Sequence, residues 1–172
     1  MSRFLTHIKR LKDPEEPIQR FFSIFEPMKK KMGPILLQLP SNLKFDHERV
    51  EHLYKELRKQ KGYSFAMEGR HETWLSKESL NLMTKYDIAF VISQSGVGFP
   101  YGEHVTSKNI YLRFHGPGKL YASLYDNDVM YEFAGKIKKW KGQGHTIWVY
   151  FNNDYFGYGI ENGKTLASML MY

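Results

Sequence analysis

Cysteine is absent from all 172 residues. That excludes a disulfide framework and any thiolate metal site, and it suits a reducing compartment, so a cytoplasmic protein is expected. Long apolar runs are missing too. Ile35-Leu36-Leu37 and Ile88-Ala89-Phe90-Val91-Ile92 are far too short to cross a bilayer, so no membrane partner is expected. Arg3, His7, Lys9, Arg10 and Lys12 interrupt any apolar core that a secretory signal would need. The chain holds no GxSxG, no Walker A and no complete GxGxxG motif. Gly96-Val97-Gly98 follows a strand-like run but leads into Phe99-Pro100 rather than a helix, which argues against dinucleotide binding. No tight histidine spacing marks a metal centre. His7, His71, His115 and Glu68 form a chemically reasonable nitrogen–oxygen set, but no metal is assigned, and no cofactor can be named.

Acidic residues are outnumbered: 18 Asp and Glu stand against 25 Lys and Arg, a net charge of +7. Such a balance can attract phosphate groups or nucleic acid. The densest cluster, Lys29-Lys30-Lys31, reads more simply as a helix C-terminus. Hydrophobic content of 42% with 25% charge places the chain among globular proteins, and its length suits one domain with a sizeable core, residues 1–172.

Strand-like and helix-like runs alternate along the chain. Gly33 to Pro40 is a short apolar strand bounded by Gly and Pro. Asp46 caps a helix to Gln60, with Val50, Leu53, Tyr54 and Leu57 at helical spacing. Tyr63 to Glu68 is a strand, Ser76 caps a helix carrying Leu80, Leu82 and Met83, and Asp87 to Ser93 is a strand of fully buried type. Asn109 to Gly116 and Thr146 to Phe151 are further strands. Helices run from about Asp128 to Lys141 and from Gly159 to Met171. A helix over Pro14 to Met32 carries Ile18, Phe21, Phe22 and Phe25, with Pro27 as a break. Before it, Phe4-Leu5-Thr6-His7-Ile8 reads as the end of a strand. Alternation of this kind predicts βα units around a parallel sheet buried on both faces. Both an open doubly wound sheet and part of a (β/α)₈ barrel fit.

Each strand ends in polar residues that strand interiors avoid: Thr6 and His7, Gln38, Glu68 with Arg70 and His71, Ser93 and Gln94, Arg113 and His115, Asn152 with Asn153 and Asp154. In both folds ligands sit at the carboxyl ends of parallel strands. Local capping and loop hydrogen bonds are the plain alternative for Asn153, Asp154 and Ser93. Arg113 and His115 lie two apart and so share a strand face. A buried Arg requires an anionic partner, either Glu68 or a ligand phosphate. The expected ligand-binding set is Thr6, His7, Gln38, Arg70, His71, Arg113, Tyr121, Tyr125, Asn152 and Asn153. Glu68 and His115 are the candidates for acid–base catalysis. Tyr121, Tyr125 and Trp74 can stack on a base or sugar; packing over the sheet end is the simpler role for them.

The ordered set THIKRL, GPILLQLP, EGRHETW, YLRFHGP followed by Tyr121 and Tyr125, and YFNND resembles the YecE-like family, domain of unknown function number 72. The resemblance spans Arg3 to Leu170. It implies a TIM-barrel fold with the polar motifs at the barrel mouth, and it implies no established reaction. The family's Gly-Thr-Ser-Gly-Trp-type first strand, Tyr-rich helix and Glu-Asn-Thr-Phe-Tyr-type strand are not seen here. Set against a barrel of roughly 250 residues, the resemblance implies the C-terminal two-thirds of a member: an incomplete α/β TIM-barrel-like fold of about five to six of eight βα units, beginning late in a third strand. Two function readings follow. One is a barrel that binds a phosphate-bearing small molecule or nucleic acid at its mouth. The other is a fragment without catalytic activity that associates with a missing N-terminal segment or with itself, since an open barrel leaves unpaired strand edges. Gly69 replaces an aromatic usual in the family and is expected to loosen its strand. Gly159 and Gly163 stand where alanines are usual and are expected to weaken the last helix.

Overall fold

A computed structural model describes residues 1–96 and 98–171 of the chain. Val97, inside the Gly-rich connection read from the sequence, lies outside the described residues. The elements are α1 (Glu15–Phe25), β1 (Ile35–Gln38), α2 (His47–Lys59), β2 (Phe65–Glu68), α3 (Lys77–Lys85), β3 (Ile88–Gln94), β4 (Asn109–Phe114), α4 (Asn127–Gly142), β5 (Thr146–Phe151) and α5 (Tyr158–Met171). The strands take the order β1-β2-β3-β4-β5. Parallel registers join β1 to β2, β2 to β3 and β4 to β5. No helix among the described residues is long and apolar enough to cross a membrane.

The chain packs as two compact units. One holds Met1–Val91 with His104–Ser107, the other Ile92–Glu103 with Lys108–Tyr172.

In the first unit the helix signals work as the sequence indicates. Asp46 accepts from the Arg49 N–H and starts α2; Ser76 accepts from the Ser79 N–H and starts α3. Val50, Leu53, Tyr54 and Leu57 form the buried stripe of α2. Pro27 does break the long first helix: α1 stops at Phe25, and a tighter 3₁₀ turn, Glu26–Lys31, carries the three lysines at its end. Every residue of β2 is buried, as a strand covered on both faces requires.

The first five residues after Arg3 are a correction. Phe4–Ile8 is a wide helical turn, not the end of a strand. The Lys9 N–H reaches back to Phe4 O at 2.8 Å, and the Leu11 N–H reaches Leu5 O at 3.0 Å. Ser2 Oγ accepts from the Phe4 N–H at 3.1 Å and holds the turn's start. The turn buries Leu5 and Thr6 and leaves Phe4 and Ile8 exposed.

Gly69 is the second correction. A Cβ built there would lie 2.3 Å from Trp74 Cγ. The indole occupies the space a side chain would take, so the glycine is a packing site rather than a loose point in the chain. Trp74 is fully buried, donates Nε1–H to Leu43 O at 2.8 Å and meets the Phe45 ring edge-on. Trp74 is therefore core, not a stacking surface.

In the second unit β5 is half-exposed along most of its length, whereas β4 is buried beyond Asn109. Helix α4 starts at an Asp126 cap, a little earlier than the Asp128 start read from the sequence. Gly159 and Gly163 bring α5 against Phe151: added Cβ atoms would lie 3.3 Å and 3.7 Å from it. The unit is tied together by a buried amide pair. Asn153 Nδ2 donates to Ser123 O and to Asn162 Oδ1, and Asn162 Nδ2 donates to Tyr125 O at 2.8 Å. Asn162 Oδ1 also accepts from the Tyr125 N–H. Three segments meet on these two side chains: the loop after β4, the end of β5, and α5.

Two substitutions test these packing claims. Gly69→Ala is expected to lower the unfolding free energy in urea by about 1–3 kcal/mol, the usual cost of overpacking; an unchanged midpoint would show that Trp74 has room to move. Asn162→Ala strips partners from Asn153 and from the Tyr125 backbone, and is expected to cost about 3 kcal/mol, read from the same denaturation curves.

Candidate functional site

In the first unit β1 and β2 end side by side, with Gln38 registered against Glu68. Parallel pairing continues one step further, since the Leu39 N–H donates to Glu68 O at 3.1 Å. Arg70 follows β2 by two residues. The N-terminal turn brings Thr6 and His7 to the same end. The result is a cavity of about 470 Å³ lined by Met1, Arg3, Thr6, His7, Leu36, Gln38 and Arg70. Four of the residues singled out from the sequence meet here: Thr6, His7, Gln38 and Arg70. Arg3, also in the lining, carried no sequence signal beyond its charge, because a basic residue two places from a chain start is ordinary.

Charge dominates this cavity. Arg3 and Arg70 both line it, and no acidic side chain does among the described residues. Glu68 lies 4.0 Å from the Arg70 guanidinium, at the limit of an ion pair, and is almost fully buried. His7 is held below the ordinary histidine range, first by burial and then by the two neighbouring guanidiniums, Arg3 and Arg70. Thr6 Oγ1 lies 2.8 Å from His7 Nδ1 and 3.4 Å from Ser2 O. The Met1 α-amine donates to Leu36 O at 2.8 Å, and burial pulls its pKa down to about 6.

His71 takes a different position. Its Nδ1 accepts from the Thr73 N–H at 3.3 Å and faces Thr73 Oγ1 at 3.1 Å, which caps the short 3₁₀ turn Glu72–Leu75. A larger cavity of about 610 Å³ lies among Phe4, Pro17, Phe21, Ile24 and Phe25. Its lining is mainly apolar, and it does not share the convergence of cations.

The second unit holds the remaining sequence candidates. Arg113 is buried on β4, registered with Tyr150. His115 is fully buried, with its ring stacked on Phe99 at 4.7 Å and Tyr121 meeting it edge-on at 5.7 Å. Tyr125 is also buried. Its hydroxyl donates to Gln94 O and accepts from the Gly116 N–H, and burial pushes its pKa up to about 12. That makes it a brace between the ends of β3 and β4 rather than a stacking surface. Asn153 belongs to the buried amide pair. Asn152 is half-buried, and its backbone N–H continues the β4–β5 ladder to Phe114 O. Tyr121 is the exposed aromatic of the set. Asn162 is the polar residue that sequence reading missed, since one Asn within an amphipathic helix looks like a surface residue.

Among the described residues, Glu15, His52 and Glu56 bring three possible metal-ligand atoms within 4.8 Å of one another near the surface. His52 Nε2 and Glu15 Oε1 are 2.7 Å apart, the spacing of an ion pair between α1 and α2.

Comparison with known proteins accounts for the architecture. No curated protein matches the chain. Among solved structures, a DUF72 family protein of Thermotoga maritima superposes with a TM-score of 0.87 at 26% identity, over 99% of this chain and 72% of that one. A DUF72 family protein of Enterococcus faecalis superposes with a TM-score of 0.81 at 22% identity, over 94% of this chain and 67% of that one. The α/β order with five strands in sequence is consistent with a TIM-barrel-like fold. The profile of the family described as "Protein of unknown function DUF72" matches residues 1–172, and the chain belongs to that family.

Proposed function

We propose that the protein binds a phosphate-bearing ligand at the ends of β1 and β2. The observation that carries this reading is the cavity where Arg3, His7 and Arg70 converge beside the neutral groups of Thr6 and Gln38. Guanidiniums match phosphate geometry with paired N–H donors, and a hydroxyl and an amide add donors without adding charge. A net charge of +7 adds long-range attraction for anions. Nucleic acid is one source of such phosphate, and a small phosphorylated molecule is another.

The reading is one of binding. Glu68 supports it from behind Arg70, where its carboxylate orients the guanidinium. His115 is enclosed by Phe99 and Tyr121 in the other unit and serves packing in this account.

Inorganic phosphate titrated by calorimetry tests it. The expected result for Arg70→Ala is an affinity lower by about tenfold or more, since charge-assisted hydrogen bonds contribute roughly 1.5–3 kcal/mol, measured at a temperature where circular dichroism shows the variant folded, because loss of the cation beside the buried Glu68 also lowers the melting temperature. Lys61→Ala, an exposed cation outside the cavity lining, is expected to leave affinity unaltered. Equal phosphate affinity in the Arg70 variant and the parent would remove the basis for the site.

A further inference from the structure

The hydrogen bonds around His7 say more about the ligand than the charge alone. Thr6 carries one hydroxyl hydrogen. Its oxygen lies 2.8 Å from His7 Nδ1 and 3.4 Å from Ser2 O, so Nδ1 is engaged whichever of the two carries the shared hydrogen. Nε2 is then the ring nitrogen left for a ligand. A neutral imidazole brings no charge to an anion. Once protonated, Nε2–H becomes a charged donor and the ring joins Arg3 and Arg70 as a third cation.

Among the described residues, the cavity lining sets these charged or titratable groups beside His7. Arg3 and the Met1 α-amine come from the N-terminal turn, and Arg70 follows β2, with Glu68 at 4.0 Å behind it. Gln38 at the end of β1 is neutral. Burial first, and then the two guanidiniums, disfavour the imidazolium. A bound anion reverses the sign of the local field and favours it.

Resting on the phosphate-binding reading, we propose that the cavity selects a doubly charged tetrahedral anion, of the kind carried by a terminal phosphate monoester, and that binding it places one proton from solvent on the His7 imidazole. The imidazole gains that proton and no other bond changes. Two charges on the ligand answer three cations partly offset by Glu68. An internal phosphodiester brings only one negative charge and leaves the cavity under-neutralised. Terminal monoesters occur on small molecules and at polynucleotide ends, and the cavity chemistry is common to both.

Sulfate is the clean probe, because it stays doubly charged through the neutral range and any proton taken up belongs to the protein. Calorimetry in two buffers of different ionisation enthalpy counts that proton. Sulfate binding is expected to take up a proton near pH 6.5 and to weaken about tenfold between pH 6 and pH 8, since the protonated form is the one that binds. The sign follows from a free-state pKa below the ordinary value and a bound-state pKa above it. His7→Gln is expected to bind sulfate more weakly with no proton uptake and no pH dependence. Proton uptake that persists in His7→Gln would assign it to the Met1 amine and overturn the role of His7. Dimethyl phosphate binding as tightly as sulfate would overturn the dianion preference. In either case phosphate binding itself would stand, whereas loss of all sulfate and phosphate binding in the parent protein would bring down both readings. Methyl phosphate and a 5′-phosphorylated tetranucleotide separate the sources. Tighter binding of the tetranucleotide names a polynucleotide end, equal binding names a small monoester, and each outcome upholds the dianion.

Discussion

The indole of Trp74 lying in the notch at Gly69 is the contact on which the candidate site depends. The chain leaves β2 at Glu68, and Gly69 alone separates that buried carboxylate from Arg70. The missing side chain at Gly69 lets the indole press against the backbone, and the Nε1–H bond to Leu43 O fixes the ring from the other side. With the backbone at Gly69 packed in this way, Arg70 lines the same cavity as Gln38. Buried rings that are both packed and hydrogen-bonded are costly to displace. A guanidinium one residue beyond such a contact is anchored through the core rather than through solvent-exposed contacts.

The N-terminal turn supplies the other half of the cavity by a different device. A wide helical turn lets one short segment bury Leu5 and Thr6 while His7 and Arg3 line the cavity. An extended segment would alternate its side chains between two faces and would separate Thr6 from His7. Here the two are hydrogen-bonded neighbours at 2.8 Å, and that bond sets which imidazole nitrogen can meet a ligand.

Much of the architecture was legible in the sequence because two periodicities and a few caps carry it. Asp46 and Ser76 cap their helices as read, and Val50, Leu53, Tyr54 and Leu57 form the stripe that their spacing implies. Phe4 to Ile8 was not legible: a five-residue stretch of mixed polarity has too little length to show a period, and only hydrogen bonds reaching back five and six residues reveal the turn. Gly69 misled for a related reason. Its partner Trp74 is five residues on, and no pattern rule links a glycine to the ring that fills its place. Of the candidate site residues, Thr6, His7, Gln38 and Arg70 gather in one cavity, while Asn153 and Tyr125 are spent on bracing loops. Sequence alone cannot separate these fates, because ligand contact and loop bracing call for the same residue types.

The central claim is that anions bind where β1 and β2 end, and NMR of the isotopically labelled protein during a phosphate titration tests it most directly. The account predicts saturable shifts at the Thr6 and Gln38 amides, the Arg70 guanidinium and the His7 ring, with the His7 ring signals moving toward the imidazolium form. Saturable shifts confined to other parts of the chain, or no shifts at these four residues at saturating phosphate, would contradict it.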